Sequence, residues 1–135
     1  MSLAVIVISL QSCSFAEDRT NSLLRQARDL EFADKAVEAE NTYNKMDILK
    51  NKEISPRQLG VLMNLARLYL KTKNYNKSIL VCQKALSISE SLYGPHAQLA
   101  DSILFMEAYA YEGLKEYDKA LDIFKHLVHV GENTD

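Results

Sequence analysis

The feature that most constrains this chain is a set of small and apolar residues that returns after 42 positions. Ala66, Tyr69, Tyr75, Ser78, Cys82 and Ala85 reappear as Ala108, Tyr111, Tyr117, Ala120, Phe124 and Leu127. The same step backwards from Ser78 reaches Ala36, in FADKAVEAE, which echoes YDKALDIF at 117–124. Self-similarity at a fixed period marks a stack of units, each too small to bury its own apolar face. A plain helical bundle would have to match six positions by coincidence.

The pattern inside each unit is that of a helix pair. Leu59, Leu62, Met63, Leu65, Ala66, Tyr69 and Leu70 fall at spacings of three and four, which predicts an apolar stripe on a helix over 56–73. Ser55 is placed to cap it, Pro56 suits its first position, and Gln58 would complete a capping box. Asn74 would end this helix and cap the next, over 75–89, which turns Ile79, Cys82, Ala85, Leu86 and Ile88 inward. Gly94-Pro95 then breaks the chain.

The last pair is expected over 96–113 and 117–130, with Gly113 supplying a left-handed turn. Leu99, Ile103, Phe105, Met106, Tyr109 and Ala110 form its first stripe. Ala120, Leu121, Ile123, Phe124, Leu127 and Val128 form the second. The first pair, over 18–31 and 33–50, is less regular, with stripes of Leu23, Leu24, Ala27 and Leu30 and of Ala36, Val37, Tyr43 and Met46. At a step of 42, Glu40 stands where Cys82 and Phe124 do, so this pair would pack less apolar surface. Tyr69, Tyr75, Tyr111 and Tyr117 would fill the gaps between hairpins while their hydroxyls reach the edge.

These residues resemble the tetratricopeptide repeat. The small residue and Tyr three apart in the first helix are Ala66 and Tyr69, and Ala108 and Tyr111. The second-helix positions are Ser78, Cys82 and Ala85, and Ala120, Phe124 and Leu127. The step of 42 and the run ALSISESLYGPHAQLA are similar to the kinesin-light-chain subclass, with Ala85, Leu86, Ile88, Glu90, Gly94 and His96 matching. Ala97 stands where that subclass has Pro. The resemblance implies an all-α, right-handed helical-hairpin solenoid of about three repeats, near 17–50, 59–92 and 101–134.

The N-terminus differs in kind. Residues 3–10 (LAVIVISL) form an apolar run too short to span a bilayer as a helix. With the small residues Ser14 and Ala16 before Glu17, residues 1–16 read as a signal peptide, and the protein as exported. In the lipoprotein variant, Cys13 would carry a lipid anchor. No Lys or Arg precedes the run, so a helix docked on the first repeat in a cytoplasmic protein is the alternative.

A net charge of −2 gives no bulk attraction to nucleic acid or to anionic membrane. Two cysteines give no disulfide framework, and Cys82 reads as a small core residue. No phosphate loop, nucleophile elbow or zinc-protease signature occurs, so neither an enzyme nor a cofactor is expected. His126 and His129 share a helix face but lack a closed ligand set, so no metal is expected.

The resemblance implies that the first helix of each pair lines a concave groove. Aligned at 42, the groove residues are Asn21, Arg25 and Arg28, then Met63, Asn64, Arg67 and Lys71, then Phe105, Tyr109 and Glu112. Met63, Arg67 and Lys71 stack in a row four apart, and Arg25 and Arg67 are equivalent. Guanidiniums beside an apolar pocket suit a partner peptide with acidic and apolar residues. The carboxylate clamp of some family members is not matched: Asn64 fits one position, but Asn21, Arg25, Ser102 and Met106 stand at the others. The alternative is a structural module, or part of a longer array, associating through the outer side of its last helix, where Ile123, Leu127 and Val130 are the candidates.

Overall fold

A computed structural model describes residues 2–132. Among them six α-helices and one short 3-10 turn form three hairpins: α1 (Leu3–Phe32) with α2 (Ala36–Asn44), α3 (Pro56–Lys71) with α4 (Tyr75–Tyr93), and α5 (Gln98–Gly113) with α6 (Tyr117–Glu132). The chain divides into two compact units, Met1–Lys50 and Asn51–Asp135.

In the second unit the local signals act much as written. Ser55 Oγ accepts from the Gln58 amide at 3.2 Å, and Pro56 opens α3. The capping box is only half formed, because Gln58 Nε2 donates instead to the Asn51 carbonyl at 3.2 Å. Asn74 holds the N-cap position of α4, but its side-chain Nδ2 donates to Thr72 Oγ1 and caps nothing. Val61 and Leu68 are buried in addition to the expected stripe, since α3 packs against both α4 and α5. α4 is covered on two sides, by α3 and α5, and carries Ser78, Ile79, Cys82, Ala85, Ile88 and Ser89 inward. Gly94, at φ 87°, ends it.

Small residues at the crossing of α3 and α4 let the helices approach closely, so that Ser78 Oγ donates to the Ala66 carbonyl at 3.0 Å. Both residues are fully buried. Gly113 does not take the left-handed turn expected of it. That conformation falls on Lys115 (φ 62°), as on Lys73 (φ 60°) and Asp34 (φ 60°). Gly113 answers a different need: a β-carbon there would fall within the ring of Tyr75.

The left-handed residues also correct the register of the first hairpin. Lys73 and Lys115 are 42 apart, but Asp34 and Lys73 are 39 apart. The turns match bond for bond at those steps. The amides of Lys35, Asn74 and Glu116 donate to the carbonyls of Leu30, Tyr69 and Tyr111, and those of Ala39, Ser78 and Ala120 to Lys35, Asn74 and Glu116. Ala39, not Ala36, is therefore the counterpart of Ser78, and Tyr43, not Glu40, that of Cys82 and Phe124. Ala27, Ala39, Tyr43 and Met46 are fully buried, so the first hairpin keeps an apolar centre, while Val37 points outward.

α2 stops at Asn44, short of the expected 50. Thr42 in its last turn bonds back to the Glu38 carbonyl at 2.8 Å, Asn44 is a poor helix former, and Met46 turns extended to bury its side chain. α1 is longer than expected, since no Gly or Pro interrupts residues 3–32, and it runs unbroken through Ala16 and Glu17. At 1.5 Å per residue α1 is about 45 Å long and α2 about 13 Å. α2 can cover only part of its partner, and residues 3–15 stay exposed. Among the described residues no helix is long and apolar enough to cross a membrane.

Candidate functional site

The expected groove residues divide between the two units. Asn21, Arg25 and Arg28 lie on α1, with Asn21 half-buried and both arginines exposed. Arg25 lines an open cleft of ≈ 450 Å³ with Ser22, Gln26, Asp29 and Lys35. The register of 39 makes Arg28, rather than Arg25, the equivalent of Arg67. It also puts Leu24 and Arg28 at the first-repeat clamp positions, which again do not match a carboxylate clamp.

The remaining residues lie together in the second unit, where α3 and α5 pack side by side. Met63 and Asn64 are half-buried on α3, and Arg67 and Lys71 are exposed one and two turns further on. The Arg67 guanidinium donates to Asn64 Oδ1, which fixes its direction. On α5, Phe105 is 45% and Tyr109 56% exposed, and Glu112 is exposed a turn beyond. Both rings were also expected in the packed stripe of α5. They pack on Phe124 of α6, with centroids 5.9 Å and 6.1 Å away, and keep the other side open. Phe124 was not among the expected site residues. Its place in the repeat marks it as core, but among the described residues no helix covers its outer side, and it is half-exposed.

The outer side of α6 also departs from expectation. Leu121 and Val128 belong to the expected inner stripe but are exposed, whereas Ile123, Leu127 and Val130 are half-buried. With Phe124, Leu121 and Val128 line a shallow cleft of ≈ 370 Å³ flanked by Lys125, His129 and Glu132.

Two tyrosine rings carry cations over their faces at the repeat step. Lys77 Nζ lies 5.3 Å from the Tyr69 ring centre, and Lys119 Nζ 5.2 Å from that of Tyr111. Burial pushes the Cys82 thiol up to about 11, against a hydrogen bond with Ser78, so it is a poor nucleophile. Cys13 is exposed on α1. Burial likewise raises the Glu107 carboxyl, offset in part by Gln83 Nε2 donating at 3.2 Å. No group of three or more His, Cys, Asp or Glu that could hold a metal occurs among the described residues.

Helix hairpins with buried small residues at Ala27 and Ala39, at Ala66 and Ser78, and at Ala108 and Ala120 define an all-α helical-repeat protein. The chain belongs to the tetratricopeptide-repeat family, whose model matches residues 57–129, more than half its length. A kinesin light chain of nearly identical TPR-like repeats from Podosopora anserina is similar in structure, with a TM-score of 0.73 at 15% identity over 87% of this chain. That match covers 57% of the kinesin light chain, so this chain spans less than two thirds of it. The N-terminal domain of stress-induced protein-1 from C. elegans is also similar, with a TM-score of 0.66 at 14% identity over 86% of this chain and 89% of that domain. No curated protein sequence matches the chain.

Proposed function

We propose that the protein is a non-catalytic interaction module that binds a peptide segment of a partner along α3 and α5. Tetratricopeptide repeats are generally protein–protein interaction modules. One observation carries the finer reading: Phe105 and Tyr109 are fixed by Phe124 yet half-exposed, beside a helix that presents Arg67 and Lys71. Rings that are already immobilised lose little freedom on binding, and a guanidinium held by Asn64 is pre-aimed. Adjacent packed helices lie about 8–10 Å apart, a width that suits one extended or helical peptide. An apolar side chain would meet the rings and Met63, a carboxylate would meet Arg67, and Glu112 would favour a basic residue at one end.

The test is binding of a displayed peptide library, read by fluorescence polarisation of the selected peptides. Selected sequences should pair an acidic with an apolar residue. Arg67→Glu and Phe105→Ala should each weaken them about tenfold or more with helicity unchanged. Selected peptides indifferent to both substitutions would remove the groove reading. A second reading, a self-associating structural module, is favoured by the uncovered apolar side of α6.

A further inference from the structure

The 42-residue step shows what the outer side of α6 is built to receive. Ile79, Cys82 and Leu86 on α4 correspond to Leu121, Phe124 and Val128 on α6. On α4 this face lies under α5, and Ile79 is 8% exposed; on α6 its counterpart Leu121 is 50% and Val128 63% exposed. Tyr75 packs over Gly113 of α5, whereas its counterpart Tyr117 is 59% exposed. α6 thus presents the face that α4 uses to hold a helix.

The same chain carries a helical segment with no cover of its own. Leu3, Ile6, Val7 and Leu10 follow the i, i+3, i+4, i+7 pattern and are 42–82% exposed, beyond the reach of α2. Residues 2–16 contain no charged side chain, so a helix made of them brings nothing costly to bury. Glu17 and Asp18 follow, and the α6 cleft is flanked by Lys125 and His129, with Glu132 at its C-terminal end. The stripes 3–10 and 121–128 are each about 10 Å long. A symmetric pair of α6 helices centred on 121–128 would instead bring two Lys125 ammonium groups together, which is unfavourable.

We propose that the apolar stripe at residues 3–10 of one chain docks on the Leu121–Phe124–Val128 face of a second copy, head to tail. This rests on the self-association reading and names its occupant. Such a contact uses two different surfaces, so it builds open chains or closed rings rather than a self-complementary pair, and assembly rises with concentration.

The test uses the full chain, with intact mass verifying that residues 1–16 are present. Sedimentation equilibrium follows wild type, Ile6→Asp and Val128→Asp; both substituted side chains are exposed, and circular dichroism checks helicity. Wild type should form species larger than a dimer. Each variant alone should weaken association about tenfold or more. Their equimolar mixture should form dimers and nothing larger, because one intact contact remains. If Val128→Asp dissociates the protein while Ile6→Asp associates as wild type, self-association stands and this occupant does not. A mature mass beginning at Glu17, a monomeric wild type, or Ile6-dependent flotation with phosphatidylcholine vesicles in place of self-association would each overturn the proposal.

Discussion

The ring of Tyr75 occupies the space that a side chain at Gly113 would need. Tyr75 opens α4 and Gly113 closes α5, so this contact ties one hairpin to the next. Gly113→Ala must displace the ring and should lower stability by about 1–3 kcal/mol as an overpacking cost. Better helix propensity would offset up to about 1 kcal/mol of that. In a Tyr75→Ala background the penalty should vanish, leaving only the propensity gain. Urea unfolding of the four proteins measures the coupling, and additive effects would mean that the ring moves aside freely.

Ser78 makes a prediction of the opposite kind. Its counterparts in the other hairpins, Ala39 and Ala120, do without the hydroxyl. The Ala66 carbonyl lies within α3 and has an intrahelical partner available. Ser78→Ala should therefore cost no more than about 1–2 kcal/mol, within the usual net worth of its two hydrogen bonds, to the Ala66 carbonyl and with the Cys82 thiol. Ser78→Leu would push α3 and α4 apart and should cost several times as much. Thermal melts of the two variants separate close packing from hydrogen bonding at this crossing.

The hairpins of the second unit were legible in the sequence because caps, turns and apolar spacing agree there. Ser55-Pro56, Gly94-Pro95 and the pairs Ala66/Tyr69 and Ala108/Tyr111 all point to the same boundaries. The first hairpin was not, for a geometric reason. A slip of three residues turns a helix face by only about 60°, so Ala36 and Ala39 fit an apolar stripe almost equally well. Only the left-handed turn at Asp34 fixes the step at 39. The exposure of Arg67, Lys71 and Glu112 was legible, because polar positions off the buried stripe face outward, whereas Phe105 and Tyr109 were expected within that stripe and are half-exposed. The exposure of Leu121, Phe124 and Val128 was hidden: their letters match those of a covered helix, and sequence periodicity does not say whether the covering helix is present.

The two cysteines should behave as opposites. Cys13 is exposed and Cys82 fully buried, with its pKa raised from 9.0 to about 11. An aromatic disulfide reagent at pH 8 should titrate one thiol per folded chain promptly. The second should react at the rate at which the core opens, about tenfold or more slower. Because the folded state holds the Cys82 proton more tightly, its stabilising contribution is complete below the unfolded value and is lost as pH rises from 9.0 toward about 11. Chemical denaturation at pH 8 and pH 10.5 should show that decline in wild type and a smaller one in Cys82→Ala.

Glu107 gives the final test, and its sign differs from that of most surface carboxylates. It is 7% exposed on α5, and the hydrogen bond from Gln83 only partly offsets the loss of water. The folded state therefore favours the protonated acid. The stability that follows from this preference is complete below the unfolded pKa, near 4.5, and is lost as pH rises through the higher folded value. Once ionised, this buried carboxylate has a single neutral donor among the described residues, an arrangement costlier than a buried amide. Glu107→Gln keeps the shape and can still accept from Gln83 Nε2. It should raise the melting temperature at pH 7, and the advantage should shrink steadily toward pH 4, where wild type is itself neutral at this position. Melting curves of both proteins across that range decide the matter. A Gln variant that is less stable at pH 7 would mean that the charge of Glu107 is itself stabilising, through a partner other than Gln83.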